Sequence, residues 1–361
     1  MKNLVYLCLL SFINLFAYGQ YMLEENYLEI TPKQKASECF QFENLGIYPI
    51  YAGSAFKDAN KDVGKYQNLK KALEKKMIII NEVGSSVTAP AQNAVNVRNA
   101  VNNGNRDFQN IDNSNIGNNI VNNNVGNRVS GQVNQLLISN VSQDTIYLMA
   151  GEIVKGGKQD RVLASDMVLP PGAKDVDISV FCVEHGRWKT RKDGNYTFSN
   201  HSGTVSNSIR KAAVKEKNQS SVWQKVAEIT NKNDAGTETQ TYTAMENAVE
   251  FNKKQAAYFK FFKEAILSEE NIIGFIGVTG DKVIGMDLFA NNHLFLDQLD
   301  NLVNSYSTEA ISNGSKVKLS YEEVVNYANI YLSDENEQEQ AVSENGSSYK
   351  SNGKKLHINT F

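Results

Sequence analysis

The chain opens on an apolar run. Residues 4–16 are broken only by Ser11 and Asn14, follow the basic start Met1-Lys2-Asn3, and lead into Ala17-Tyr18-Gly19 before Gln20. A charged start, a short apolar stretch and small residues at the exit make the pattern of a cleavable secretory signal. A membrane span needs about 20 mainly apolar residues, more than this run supplies. Cys8 lies inside the run, too early for lipid attachment. The pattern predicts an exported protein, periplasmic or extracellular, cleaved near Gly19 and without a transmembrane anchor once residues 1–19 are removed.

Past the signal, short apolar clusters alternate with turn residues. Clusters at 28–30, 40–42 and 47–51, punctuated by Pro32 and Pro49, predict two or three short strands. Leu69, Ala72 and Leu73 fall at helical spacing among lysines in 66–76, and 77–80 then predicts a buried strand. From about residue 92 asparagine dominates, and Val95, Val101, Ile116, Ile120, Val125 and Val129 follow no fixed period. An asparagine-laddered solenoid would need such a period. A polar tract that cannot bury apolar surface predicts a flexible insertion instead, placed at 90–134. Apolar segments return at 136–139, 145–148, 162–163, 167–169 and 176–183, with the turn Pro170-Pro171-Gly172 among them. Their spacing predicts an antiparallel sheet or sandwich.

The periodicity then becomes helical. Ser220 or Ser221 can cap a helix carrying Val222, Trp223, Val226 and Ile229, and 243–267 carries the stripe Val249, Ala256, Phe259, Phe262 and Ile266. Segments 272–278 and 283–289 predict a returning hairpin across Gly280-Asp281, the first apolar enough to be covered on both faces. A helix fits 293–311, and Ser320-x-x-Glu323 is a capping box opening another to about 332. Residues 334–354 are acidic and rich in Ser, Asn and Gly, which predicts a mobile segment; 356–361 predicts a last strand. The fold class is therefore α+β, in a single large domain over 20–361 whose strand-rich first part precedes a helical second half.

Charge narrows the partners. The 37 basic and 40 acidic residues leave a net charge of −3 with no basic stripe, which lacks the electrostatic footprint of nucleic-acid binding. Cys39 and Cys182 survive signal removal; in an oxidising compartment they can form a disulfide, or remain two buried thiols.

Two stretches concentrate unusual polar groups: Gly-Glu-Ile-Val-Lys-Gly-Gly-Lys-Gln-Asp-Arg at 151–161 and Cys-Val-Glu-His-Gly-Arg-Trp at 182–188. The glycines loosely mimic a phosphate loop, but Gln159 stands where a Mg²⁺-ligating Ser or Thr belongs and no helix follows. Cys182-x-x-His185 has a permissible zinc spacing, but His201 and Cys39 do not supply the second close ligand pair of a structural site, so no metal and no cofactor is expected. Glu152 and Glu184 are the candidate acid and base for a hydrolase. Gln159, Asp160, Arg161, Arg187, Trp188 and Asp287 are the candidate ligand-binding residues, through Arg forks and ring stacking toward a small anionic or sugar-containing ligand. The competing role for the same acids and arginines is a set of ion pairs that fixes the hairpin.

These stretches resemble the ARG and rhodanese-phosphatase-superfamily-associated protein domain. The resemblance lies in Gly151-Glu152, Gly156 to Arg161, Pro170-Pro171-Gly172, Cys182-Val183-Glu184-x-Gly186-Arg187-Trp188, Ile284 to Phe289 and Leu356 to Phe361. It implies no established reaction. The family's association with ADP-ribosylglycohydrolase and rhodanese-phosphatase proteins implies an ADP-ribose-like or phosphorylated ligand, at odds with the export signal. A ligand-binding or interaction module is the leading expectation. The alternative is a hydrolase acting on an ADP-ribose-like, phosphorylated or glycosidic substrate.

Overall fold

Strands from the two ends of the chain meet in one sheet. The computed structural model describes residues 21–83, 134–186 and 197–361; the signal and nearly all of the asparagine-rich segment lie outside them. In spatial order the first sheet runs Leu28–Ile30, Leu45–Ala52, Ile272–Thr279, Lys282–Phe289, Lys354–Thr360 and Gly346–Ser351, with Gln41–Phe42 paired at its side. Every residue of Ile272–Thr279 is buried, as its unbroken apolar run requires of a strand covered on both faces. One face packs on the helices Val249–Leu267 and Asn292–Asn313 through Phe262, Phe275, Phe295 and Tyr306. The other packs on Tyr321–Leu332 and Glu335–Asn345 through Ile276, Leu288, Ala328 and Val342.

A second sheet is small: Met167–Leu169, Ile146–Leu148 and Gln67–Asn68, the last pair parallel. The third has six strands, Phe198–Thr204, Glu152–Gly156, Arg161–Leu163, Val176–Cys182, Gln135–Asn140 and Ile78–Glu82, with all neighbours antiparallel. A bridge between Asn81 and Thr197 joins its first and last strands, so the sheet curls around Val154, Leu163, Val180, Ile138 and Ile80. The α+β class is what the periodicity predicts, and the returning hairpin lies at the centre of the first sheet.

Several boundaries differ from the sequence reading. Asn218, not Ser220 or Ser221, caps the helix Gln219–Lys232 by accepting from Ser221 N. The 243–267 element splits into a 3₁₀ turn, Tyr242–Asn247, and the helix Val249–Leu267; its buried stripe is Phe251, Tyr258, Phe262 and Ile266, leaving Val249 exposed. The expected mobile segment at 334–354 is instead a helix and a strand. Asp334 caps Glu335–Asn345, buried Gln338 donates to the carbonyls of Tyr21 and Tyr331, and Gly346–Ser351 pairs with the last strand. Polar composition hid this order because a single valine and a hydrogen-bonded glutamine anchor the helix. Among the described residues no helix is long and apolar enough to cross a membrane.

Candidate functional site

Antiparallel register brings the two polar stretches together. Arg161 stands opposite Cys182 across paired strands, so the turn before Arg161 and the residues after Cys182 leave the sheet at one corner. There Gln159 Nε2 donates to the Glu184 carbonyl at 2.7 Å, and Arg161 Nη1 donates to Gln159 Oε1 at 3.3 Å. Asp160 accepts from Gly156 N at 3.2 Å and from Thr243 Oγ1 at 3.0 Å, while its own N–H points at Glu184 Oε2 at 3.5 Å. All four side chains are buried. Gln219 completes the corner by exchanging two 2.8 Å hydrogen bonds with the Cys182 backbone, taking the part of a neighbouring strand. Burial pushes the Cys182 thiol up, and nearby Arg161 pulls it partly back. His185 and Gly186 then emerge at the surface, His185 edge-on to Trp223 at 4.4 Å. Arg187 and Trp188 lie outside the described residues.

Glu152 belongs elsewhere. It is wholly buried, with one oxygen accepting from Met149 N at 2.7 Å and the other from Asn301 Nδ2 at 2.9 Å and His201 Nε2 at 3.1 Å. Gly203 N donates to His201 Nδ1, which leaves Nε2 as the nitrogen that donates to Glu152. Among the described residues Glu152 and Glu184 share no hydrogen-bond partner.

Asp287 sits in a third cluster, and there it has no edge left for a ligand. Arg210 donates to both its oxygens, at 2.7 and 3.0 Å, Tyr306 donates at 2.7 Å, and His357 Nε2 lies 3.0 Å away. His357 Nδ1 meets Asp166 at 2.6 Å, and Asp166 also accepts from Tyr147 and from Ala150 N. The row runs Tyr147, Asp166, His357, Asp287, then Arg210 and Tyr306, and it ties the first two sheets to the short helix Asn207–Arg210 and the long helix Asn292–Asn313. Burial works against charge on Arg210, Asp287 and His357. On His357 the two flanking carboxylates outweigh it and hold the imidazole up at about 9. On Asp287 burial is outweighed by the Arg210 guanidinium and by His357, which keep the carboxyl well below its usual range. Two anions and two cations then sum to zero inside the protein, the condition under which buried charge is tolerated.

Two glycines make room for this row. Gly151 has φ +96°, and a Cβ there would lie 2.7 Å from the Arg210 stem. A Cβ on Gly277 would lie 2.3 Å from the Tyr306 ring, which crosses the strand at that point to reach Asp287.

The remaining sequence candidates separate. Cys39 ends the exposed helix Lys33–Cys39, whereas Cys182 is buried in the third sheet, and both thiols are free, so the disulfide weighed from sequence is not formed. Cys182 and His201 lie in different clusters, and among the described residues no three His, Cys, Asp or Glu side chains group to hold a metal ion. Sequence reasoning missed Arg210, Asp166, Tyr306 and the role of His357. The available signal was a histidine within the apolar run of 356–361, because a buried histidine needs partners on both nitrogens.

The description "ARG and Rhodanese-Phosphatase-superfamily-associated Protein domain" belongs to the family model that matches residues 33–359. No curated protein and no solved structure matches the chain.

Proposed function

We propose, from the premise that the chain belongs to the family of the ARG and Rhodanese-Phosphatase-superfamily-associated Protein domain, that it is an exported ligand-binding module. The observation that carries this is the corner where the Gly156 to Arg161 turn meets Cys182 to Gly186. Buried Gln159, Asp160, Arg161 and Glu184 bond to one another and fix the chain just where it emerges at His185 and Gly186. A scaffold of that kind holds His185 and Gly186 in place before a ligand arrives, which spares the cost of ordering them on binding. In this reading the buried four are positioning residues, and Arg187 and Trp188, next in the chain, are the groups that meet a small anionic or sugar-containing ligand. Export rests on the signal pattern of residues 1–19.

The test uses chain beginning at Gln20, titrated with ADP-ribose, inorganic phosphate and neutral oligosaccharides by calorimetry. Binding that disappears in Arg187→Ala and Trp188→Ala while the far-ultraviolet spectrum is unchanged supports the reading. Conversion of any of these compounds, abolished in a folded Glu184→Gln variant, overturns a binding-only role. Fractionation of cells expressing the full chain checks export: protein retained in the cytoplasm with residues 1–19 attached contradicts it.

A further inference from the structure

The segment that surfaces at the corner changes partners just before it does so. On the side toward Gln135–Asn140, the last backbone rung of Val176–Cys182 is Val180 N donating to the Asn134 carbonyl at 2.9 Å. A strand bonds to a given neighbour at every second residue, so the next rung on that side belongs to Cys182. Cys182 is 1% exposed, and its N–H and carbonyl therefore need partners inside the protein. A side chain supplies both: the Gln219 carboxamide accepts from the N–H and donates to the carbonyl, each at 2.8 Å. Only a side chain with a donor and an acceptor on one planar group can stand in for a strand in this way.

By the same alternation, the backbone rungs past Cys182 lie on its other side. Asp160 accepts from Val183 N at 3.1 Å, Tyr242 N donates to the Val183 carbonyl at 2.9 Å, and Gly186 N donates to the Thr239 carbonyl at 2.9 Å. Gln219 opens the helix Gln219–Lys232, which is fixed without it: Asn218 caps the helix, and Val222, Val226 and Ile229 are buried. Trp223 lies one turn further along the same face and meets the His185 ring at 4.4 Å. The helix thus touches the segment at Cys182 and again at His185, bracketing Val183 and Glu184.

We propose that Gln219 is the positioning residue of the corner, passing the fixed position of its helix to residues 182–186, so that ligand affinity depends on it. The inference rests on the binding-module reading and adds to it the side chain that orders the binding segment.

The experiment measures amide exchange in chain beginning at Gln20, in wild type, Gln219→Ala and Gln219→Glu, and titrates each with ADP-ribose and inorganic phosphate. Exchange at Val183 to Gly186 should rise about tenfold in Gln219→Ala, the factor that a good neutral hydrogen bond is worth, while the buried turns of Gln219–Lys232 stay as in wild type. Glutamate keeps the acceptor and loses the donor. Its excess exchange over wild type at the same pH should therefore be present at neutral pH and fade as the pH falls through about 4, where the carboxyl regains a proton to donate to the Cys182 carbonyl. That recovery in acid separates positioning from a simple loss of packing, and it decides alone if Gln219→Ala unfolds. Whichever probe binds wild type should bind Gln219→Ala about tenfold more weakly. Unchanged exchange in both variants, an excess in Gln219→Glu that acid does not remove, or unchanged affinity overturns the role of Gln219 and leaves the binding module standing. Raised exchange with neither probe bound by wild type does the reverse: the binding reading fails and Gln219 still orders the segment.

Discussion

Replacing His357 by glutamine removes the cation from between Asp166 and Asp287, 2.6 and 3.0 Å from its two nitrogens. A histidine held at about 9 in the folded protein, against about 6.5 in an unfolded chain, contributes about 3 kcal/mol to stability. The sign follows from the direction of the shift. Because the folded value is the higher one, the contribution is complete below about pH 6.5 and is lost as the pH climbs through about 9. The assay is urea unfolding of wild type and His357→Gln at a series of pH values across that window. Titrations shared by the two proteins cancel in the difference between them. The gap should be about 3–5 kcal/mol at the acid end, the usual cost of breaking a buried ion pair, and should narrow toward the alkaline end. A gap that stays constant through the window would refute a charged His357. So would an imidazole proton resonance of the folded protein that titrates near the ordinary histidine value. If the variant does not fold, that resonance alone decides the matter.

Two further outcomes follow from packing and capping. Gly277→Ala forces a methyl toward the Tyr306 ring, 2.3 Å from its nearest carbon, and the ring is tethered by its bond to Asp287. Overpacking of this kind costs about 1–3 kcal/mol, which denaturant unfolding should show and a second change, Tyr306→Leu, should partly relieve. No loss in the single variant would mean that the ring is free to move. Ser320 accepts from Glu323 N and Glu323 answers by accepting from Ser320 N, so Ser320→Ala should cost about 1 kcal/mol. Amide exchange should rise at the start of Tyr321–Leu332, and unchanged exchange there would show the cap to be idle.

What could be read from sequence was what local pattern controls. The hairpin across Gly280 and Asp281, the buried strand before it and the Ser320 capping box are each specified within a few residues. The pairing of 156–161 with 182–186 was partly legible, because two polar stretches flanking short strands must meet if those strands pair. Arg210 was not legible. It lies in a polar stretch at the one-turn helix Asn207–Arg210, and its partner Asp287 is 77 residues away. The same holds for Asp166, which is 191 residues from His357. Grouping Glu152 with Glu184 failed for a related reason. Both flank the same strands, but Glu152 points to Asn301 on a helix that enters far later in the chain.

Membership of a motif and access to a ligand are separate properties here. Among the motif positions behind the family resemblance, Gly151, Asp287 and His357 serve the buried row, whose charges are already balanced and whose side chains do not reach solvent. A ligand could reach them only if the sheets parted, and parting would expose two carboxylates whose cations had been pulled away. Chemistry there would therefore compete directly with the stability of the fold. The corner at Gln159 to Arg161 and Glu184 faces a different balance. Its buried side chains hold a segment that surfaces at His185 and Gly186. A ligand meeting that segment, as proposed, would leave the buried contacts beneath it in place. That difference in access, rather than the density of charged residues, is why the proposal rests on the corner and leaves the Asp166–His357–Asp287 row to hold the first two sheets together.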